Sequence, residues 1–366
     1  MISGDRAILA GKRGAFWYTL EEFSKHWERI DVICPRAEHS GQWTEDSTTC
    51  HFENVFFHPS PWPLWKQPQW IAQKGKELYD EHHHDAMTVH EYPPFYNGIG
   101  ALRLKKLTGI KAAAEIHHIV GHPVAASFVE RIGYRMSRSW LPLELNRFDK
   151  VRVVNEEVAD LLQSWGIKED KLRVVSSFYL DAAFAGLALK AQKKVDVAFC
   201  ARLEPNKGVL ETIEAVAALP GVTLRIVGDG SQLAKAQKLV RTLHAADRIT
   251  FAGWQASRED VAAEIAPAKM FVMHSKSEGG PRIALEAMIM GLPVLATKVG
   301  VMPDVIRDRE NGMFVDGSKE NLMLAIKSLL DDAALRTKLG SEATKIVDRF
   351  ERKEAIRAYA QFLQTL

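Results

Sequence analysis

Cysteine is scarce in this chain: Cys34, Cys50 and Cys200 are its three thiols, far apart and in no CxxC spacing. That excludes a disulfide framework and a cysteine-built zinc site, and it predicts reduced thiols in the cytoplasm. Long apolar runs are also missing, so no segment reaches the roughly 18–20 residues of a membrane-spanning helix. The opening Met-Ile-Ser-Gly-Asp-Arg has no apolar stretch of the secretory kind. A formal net charge of +2 is too small to argue for nucleic-acid binding. No internal repeat or low-complexity tract occurs, which excludes solenoids and arrays. A complete GxGxxG is lacking as well. Its nearest approach, Leu224-Arg-Ile-Val-Gly-Asp-Gly230, stops at two glycines and reads as a structural turn, which argues against a nicotinamide dehydrogenase.

What remains is a globular composition, 46% apolar and 26% charged over 366 residues, long enough for two cores. Short β-branched runs alternate with amphipathic stretches, the pattern of parallel-sheet α/β layering. The first series of predicted strands is Ile30–Cys34, Val55–Phe57, Met87–His90, Ala112–Ile116, Val151–Val154 and Leu172–Val175. Leu20–Trp27, Tyr96–Leu107 and Glu156–Trp165 are among the helical stretches between them. A second series runs Val195–Cys200, Leu224–Val227, Ile249–Phe251, Met270–Met273, Val294–Ala296 and Met313–Val315. Phe178–Lys194 breaks the rhythm and is the predicted linker. In such sheets ligands bind beyond the carboxyl ends of the strands, so those ends carry the candidate sites.

Ser275-Lys-Ser-Glu-Gly-Gly-Pro-Arg-Ile-Ala-Leu-Glu-Ala-Met-Ile-Met-Gly291 is the most informative stretch. It follows a predicted strand, and Pro281 suits a first helical position. Gly279 and Gly280 therefore lie at a helix N-terminus, where free N–H groups and the positive dipole end favour an anion. Glu278 and Glu286, with seven residues between them, can reach a ligand over that terminus or simply favour the dipole. Arg202 and Lys207, in Ala198-Phe-Cys-Ala-Arg-Leu-Glu-Pro-Asn-Lys-Gly208, are cations at the end of the second series' first strand, chemistry that fits a leaving diphosphate.

The Glu278-to-Glu286 stretch, with Gly291-Leu-Pro-Val294, Val299-Gly-Val-Met-Pro-Asp-Val-Ile306 and Asn311-Gly-Met-Phe-Val315, resembles the retaining glycosyltransferases of family 4. Arg202-Leu-Glu-Pro-Asn-Lys-Gly208 matches the same family. The resemblance is strong over 195–317, fair over 85–175 and poor before 60. It implies a GT-B fold, two Rossmann-like domains facing each other across a cleft. By it Glu278 holds donor-sugar hydroxyls, Glu286 the ribose, and Arg202 and Lys207 the diphosphate. The backbone at Gly279, Gly280, Ile283 and Ala284 touches sugar and phosphates. Gly280 departs from the large residue usual there, which leaves sugar preference open.

In the first half, Glu115-Ile-His-His118 closes a predicted strand. The family carries a functional histidine at that end, assigned to His117 ahead of His118, with Glu115 in place of the usual threonine. His90 ends the preceding strand and lines the cleft or packs. Arg6–Ala10 is the candidate first strand, which is either abbreviated or marks a late start. Gly11-Lys-Arg-Gly14 is then the glycine loop, and Lys12, Arg13 and Gly14 are acceptor-side candidates. No metal is expected: adjacent histidines in Glu81-His-His-His-Asp85 cannot all point one way. No Asp-x-Asp occurs either, the metal–nucleotide clamp of the other major glycosyltransferase fold.

The sequence thus predicts an acceptor domain over 1–185, with a closing helix near 352–366 packed on it, and a nucleotide-sugar domain over 190–350. The expected activity is metal-free transfer, with retention, from a nucleotide-diphosphate sugar to a glycan or lipid-linked acceptor. No cofactor and no nucleic-acid partner are expected. A nucleotide-sugar epimerase and a non-catalytic nucleotide- or carbohydrate-binding protein are the alternatives. Residues 101–150 carry nine Lys/Arg against four Asp/Glu, and eight of nine tryptophans precede residue 170. Both features suit a cytoplasmic protein touching the inner membrane face as well as they suit a solvated surface and a packed core.

Overall fold

The β-branched runs between Ile30 and Val315 become strands in the computed structural model, which describes residues 1–6, 8–10, 14–36 and 48–366. Two units result, each a Rossmann-like α/β layer. The first comprises Met1–Ile119, Arg135–Ser177 and Lys353–Leu366; the second comprises Val120–Tyr134 and Phe178–Arg352.

In the first unit, β1 (Ile30–Cys34), β2 (Thr49–His51) and β3 (Val55–Pro59) pair in the order β1-β3-β2. A second set, β4 (Ala86–His90), β5 (Lys111–Ile116), β6 (Lys150–Val153) and β7 (Leu172–Val174), pairs consecutively and in parallel. Residues 1–3 join the two sets. Ile2 bridges both Ile33 and Val89 in parallel, its N–H donating to the Thr88 carbonyl at 2.8 Å and its carbonyl accepting from His90 at 2.9 Å. The first strand is therefore this three-residue segment. The strand expected over Arg6–Ala10 is absent among the described residues, where Ile8–Ala10 instead forms a single 3-10 turn. A strand needs a partner for its backbone, and the slot between β1 and β4 is already filled by residues 1–3.

The helices of this region are α1 (Ala15–Phe23), α2 (Gln67–His82), α3 (Tyr96–Thr108), α4 (Phe128–Leu145), which belongs to it from Arg135 onward, and α5 (Glu156–Ser164). Asn155 caps α5 by accepting from Val158 N–H at 2.9 Å. Ala112, Ala113 and Ala114 of β5 are fully buried, small side chains that let helices approach both faces of a parallel sheet. The histidine run ends α2: His83 adopts the left-handed conformation at the C-cap, and His84 bonds Asp31 at 2.7 Å. Trp70, of the tryptophan cluster, is core, whereas Trp65 is exposed.

The second unit opens with a short helix, α6 (Leu187–Lys190), followed by six parallel strands: β8 (Val195–Cys200), β9 (Leu224–Val227), β10 (Ile249–Gly253), β11 (Ala268–Met273), β12 (Val294–Thr297) and β13 (Met313–Val315). Their order is β10-β9-β8-β11-β12-β13, the doubly wound arrangement whose direction reverses between β8 and β11. Apolar runs of β8, β9 and β11 form its core with α7 (Val209–Ala217), through residues such as Phe199, Ile213, Ile226 and Val272. Further helices are α8 (Leu233–Thr242), α9 (Arg258–Ile265), α10 (Arg282–Met290), α11 (Met302–Val305), α12 (Lys319–Asp331), α13 (Ala333–Ala343) and the closing α14 (Arg352–Gln364). Tyr359 of α14 stacks on Phe23 of α1 with ring centroids 4.8 Å apart, within the first unit.

Candidate active site

The reversal between β8 and β11 leaves a gap at their carboxyl ends, because the crossovers from the two strands run in opposite directions. The loop after β8 brings in Arg202 and Lys207, and the loop after β11 brings in Ser275 and Glu278. With Gly280, Arg282 and Ile283 these side chains and backbone line a cavity of about 230 Å³. Lys207 is buried and ion-paired to Glu278, whose Oε1 also accepts from Ser275 Oγ at 2.9 Å. Two loops 71 residues apart are thereby tied together, and Asn206 adds a second tie, donating to the Ser277 carbonyl at 3.3 Å. Arg202 is exposed at the rim.

Glycines make this approach possible. Gly208 has a φ of 73°, and a Cβ there would lie 2.1 Å from the His274 carbonyl oxygen. Gly300 backs the loop after β11 in the same way, at 2.5 Å from the Gly279 carbonyl. The turn Gly228–Gly230 packs on the Arg202 loop, against the carbonyls of Ala201 and Leu203, which fits the structural reading of that turn.

Helix α10 starts one residue later than its sequence suggested. Pro281 is the N-cap, and Arg282 is the first helical residue. Its first turn faces the cavity, but not all of its N–H groups are available. Ala284 N–H donates to the Pro281 carbonyl at 2.9 Å and Ala284 is buried, whereas Ile283 lines the cavity. Glu286 sits on the helix flank at 15% side-chain exposure, 3.2 Å from Arg282 Nε. Burial raises its carboxyl above the ordinary value, an effect Arg282 and Arg258 only partly offset. Cys200 also lines the cavity, but burial pushes its thiol up to about 12, which makes it inert as a nucleophile.

Three contributors carry no local signal in the sequence. Arg282 donates to the Tyr179 carbonyl at 3.0 Å and lies 4.4 Å from that ring's centroid, so it anchors Glu286 to the segment that opens the second unit. Ser275 meets Glu278. Phe178 fills the space beside Gly280, where an added Cβ would sit 1.7 Å from the ring. The large residue absent at 280 is thus matched by an aromatic ring from a segment about a hundred residues away. A motif scan cannot see that exchange.

The first unit holds its own polar cluster at the ends of β4 and β5. His117 Nε2 lies 3.3 Å from Glu115 Oε2 and His90 Nε2 lies 3.6 Å from Glu115 Oε1. The carboxylate is buried and also bonded by Thr88, Tyr359 and Arg152. Burial alone would raise its pKa, but His90, Arg152 and His117 hold it well below the carboxylate range. Burial lowers His90 to about 4, against the pull of Glu115, so that ring is neutral near pH 7. His117 is exposed and His90 half-buried, with ring centroids 5.1 Å apart. Gly14 is the exposed N-cap of α1; Lys12 and Arg13 lie outside the described residues.

Comparison with known proteins places the chain in a family. The model for glycosyl transferases group 1 matches residues 187–346, and the model for glycosyltransferase family 4 matches residues 17–179. The chain belongs to the family 4 glycosyltransferases. Among family relatives, a lipopolysaccharide core biosynthesis glycosyltransferase of Rhizobium meliloti is 35% identical over 217 residues, 57% of this chain and 61% of that protein. An N-acetyl-alpha-D-glucosaminyl L-malate synthase of Bacillus anthracis is 21% identical over 84% of this chain and 83% of its own length. A D-inositol 3-phosphate glycosyltransferase of Mycolicibacterium smegmatis matches over 32% of its length, so the chain spans less than two thirds of the length of this relative and of the lipopolysaccharide core enzyme. The GT-B fold is shared with sucrose-phosphate synthase of Thermosynechococcus elongatus (TM-score 0.81, 19% identity, 96% and 92% of the two chains). It is shared equally with Anabaena Alr3699/HepE, solved in complex with UDP (TM-score 0.74, 18% identity, 100% and 99%).

Proposed function

We propose that this chain transfers a glycosyl group, with retention, from a nucleoside diphosphate sugar to a hydroxyl of a glycan or lipid-linked acceptor, and that no metal cofactor takes part. The observation that carries the reading is the convergence of Arg202, Lys207, Glu278 and the open first turn of α10 on one cavity at the β8/β11 reversal. Breaking the bond between sugar and diphosphate places negative charge on the leaving oxygen. Fixed cations and backbone N–H groups stabilise that charge without reorganising. Glu278 and Glu286 accept hydrogen bonds from sugar and ribose hydroxyls. The structural neighbour solved with UDP supports uracil as the donor's base.

His117, with His90 and the Gly14 region, belongs to the acceptor side in this reading. A membrane-associated acceptor is supported by an apolar pocket of about 390 Å³ in the first unit, lined by Pro94, Phe95, Ile99, Met136, Ser139 and Trp140. Met136, Trp140 and Leu143 are exposed beside Arg135 and Arg138, a combination that suits the headgroup region of an anionic leaflet. No helix among the described residues is long and apolar enough to cross a membrane.

The test is transfer of labelled sugar from a panel of UDP-, GDP- and ADP-sugars into lipid and glycan fractions, with EDTA present. Label entering one fraction from one donor, and lost with Glu278→Ala, is the expected result. A sugar altered without any acceptor would indicate an epimerase. Binding without turnover would indicate a non-catalytic scaffold.

A further inference from the structure

The cluster at the ends of β4 and β5 contains more than one histidine near an acceptor. Glu115 is a carboxylate with no side-chain exposure, and its oxygens are surrounded by donors: Thr88 and Tyr359 on Oε1, Arg152 on Oε2. Such a carboxylate is ionised and accepts only. The ring nitrogen that faces it, His117 Nε2 at 3.3 Å, must therefore carry the hydrogen. In the neutral ring the lone pair is then on Nδ1, and the ring is 46% exposed on the chain's surface. We infer that Glu115 is a positioning residue that fixes the Nε2–H tautomer of His117, so that Nδ1 is presented to accept a hydrogen bond from a substrate hydroxyl.

Other groups facing the pair fit this assignment. His90 from β4, Arg152 from β6, Tyr359 from α14 and the Met1 amine all act on Glu115 or its neighbours, and the arginine keeps the carboxylate charged. His90 does not present the same atom: its Nδ1 is 3.3 Å from Ser3 Oγ and its Nε2 faces Glu115 Oε1 at 3.6 Å. One donor atom each from His90, Glu115 and His117 lie within 4.8 Å of one another, a grouping that could also suggest a metal ion. The guanidinium of Arg152 on the same carboxylate oxygen argues against it, because a cation there would meet that charge at contact distance. Threonine, usual at position 115 in the family, cannot fix a tautomer, because a hydroxyl both donates and accepts.

The tautomer is read directly by two-bond nitrogen–proton NMR on the full chain labelled with nitrogen-15 at histidine, the ring being assigned with His117→Asn. The inference requires the Nε2–H form in wild type at pH 7.5 and a mixed or Nδ1–H signal in Glu115→Gln. An Nδ1–H tautomer in wild type overturns it, and that result needs no folded Glu115 variant. The functional half rests on the transferase reading. There, Glu115→Gln should lower kcat about 10- to 100-fold, with donor KM unchanged, and Glu115→Asp should recover part of it. In the double variant Glu115→Gln/His117→Asn the loss should stay within about twofold of His117→Asn alone, as for residues acting as one unit. Additive losses overturn the positioning role. Absence of turnover in wild type would sink the transferase reading while leaving the tautomer result to stand by itself.

Discussion

Two carboxyl groups inside the first unit make its stability depend on pH in an unusual direction. Glu91 and Glu144 approach the same point beside Gly98 of α3: a Cβ added there would meet Glu144 Oε1 at 1.6 Å and Glu91 Oε2 at 2.1 Å. Both are buried, and their carboxyl oxygens crowd one another. Burial, then mutual repulsion, raises Glu91 well above the usual range, and burial raises Glu144 to about 7. A raised acid holds its proton in the folded state and releases it in the unfolded one, so Glu144's share of the stability falls as pH climbs from about 4.5 to about 7 and then levels off, with Glu91 acting in the same direction. For Glu144 that shift, at about 1.4 kcal/mol per unit, is worth roughly 3 kcal/mol at pH 8. Glu144→Gln removes the charge and keeps the shape. Its melting temperature should exceed wild type by roughly 6–12 °C at pH 8, at about 2–4 °C per kcal/mol, with little difference at pH 5. Calorimetry at both pH values is the assay. An equal offset at pH 5 and pH 8, or a variant less stable at pH 8, would refute the reasoning. Asp31 and Glu115 are depressed acids whose stabilisation is lost only as pH falls below the ordinary carboxylate range, so they do not mask the effect.

Other outcomes follow from single contacts. Gly280→Ala should cost roughly 1–3 kcal/mol by overpacking against Phe178, and adding Phe178→Ala should cost less than the sum of the two single changes; additive losses in urea unfolding would contradict the contact. Trp140→Ser and Arg135→Ser/Arg138→Ser should weaken sedimentation with anionic vesicles, the arginine pair by roughly 30-fold at about 1 kcal/mol each; binding unchanged by either would remove the membrane face.

Much of this fold was legible from periodicity. Strands β1, β8, β9 and β13 have the limits that their β-branched runs suggest, because parallel strands buried on both faces read as short apolar blocks. The opening strand was not legible: three residues held between β1 and β4 are too few to show a period. Strand β2 was missed for the same reason, and α10's start was misplaced by one residue. Around the cavity, Glu278, Arg202 and Lys207 could be placed at strand and helix ends because the helix-terminus motif and the strand-end cations are local patterns, with Glu286 on the neighbouring helix flank. Phe178, Arg282's hold on Tyr179 and the Glu91–Glu144 pair could not. They arise from contacts between segments roughly 50 to 100 residues apart, which leave no spacing to read.

Calorimetric titration of UDP into the wild-type chain in EDTA, and into Lys207→Ala and Glu286→Ala, decides whether the β8/β11 cavity is the donor site. We expect UDP to bind wild type without metal and each variant to lose roughly 10- to 150-fold, the worth of one hydrogen bond involving a charged group. Binding that requires a divalent cation, that ignores both substitutions, or that is absent from a well-folded wild type would contradict the assignment.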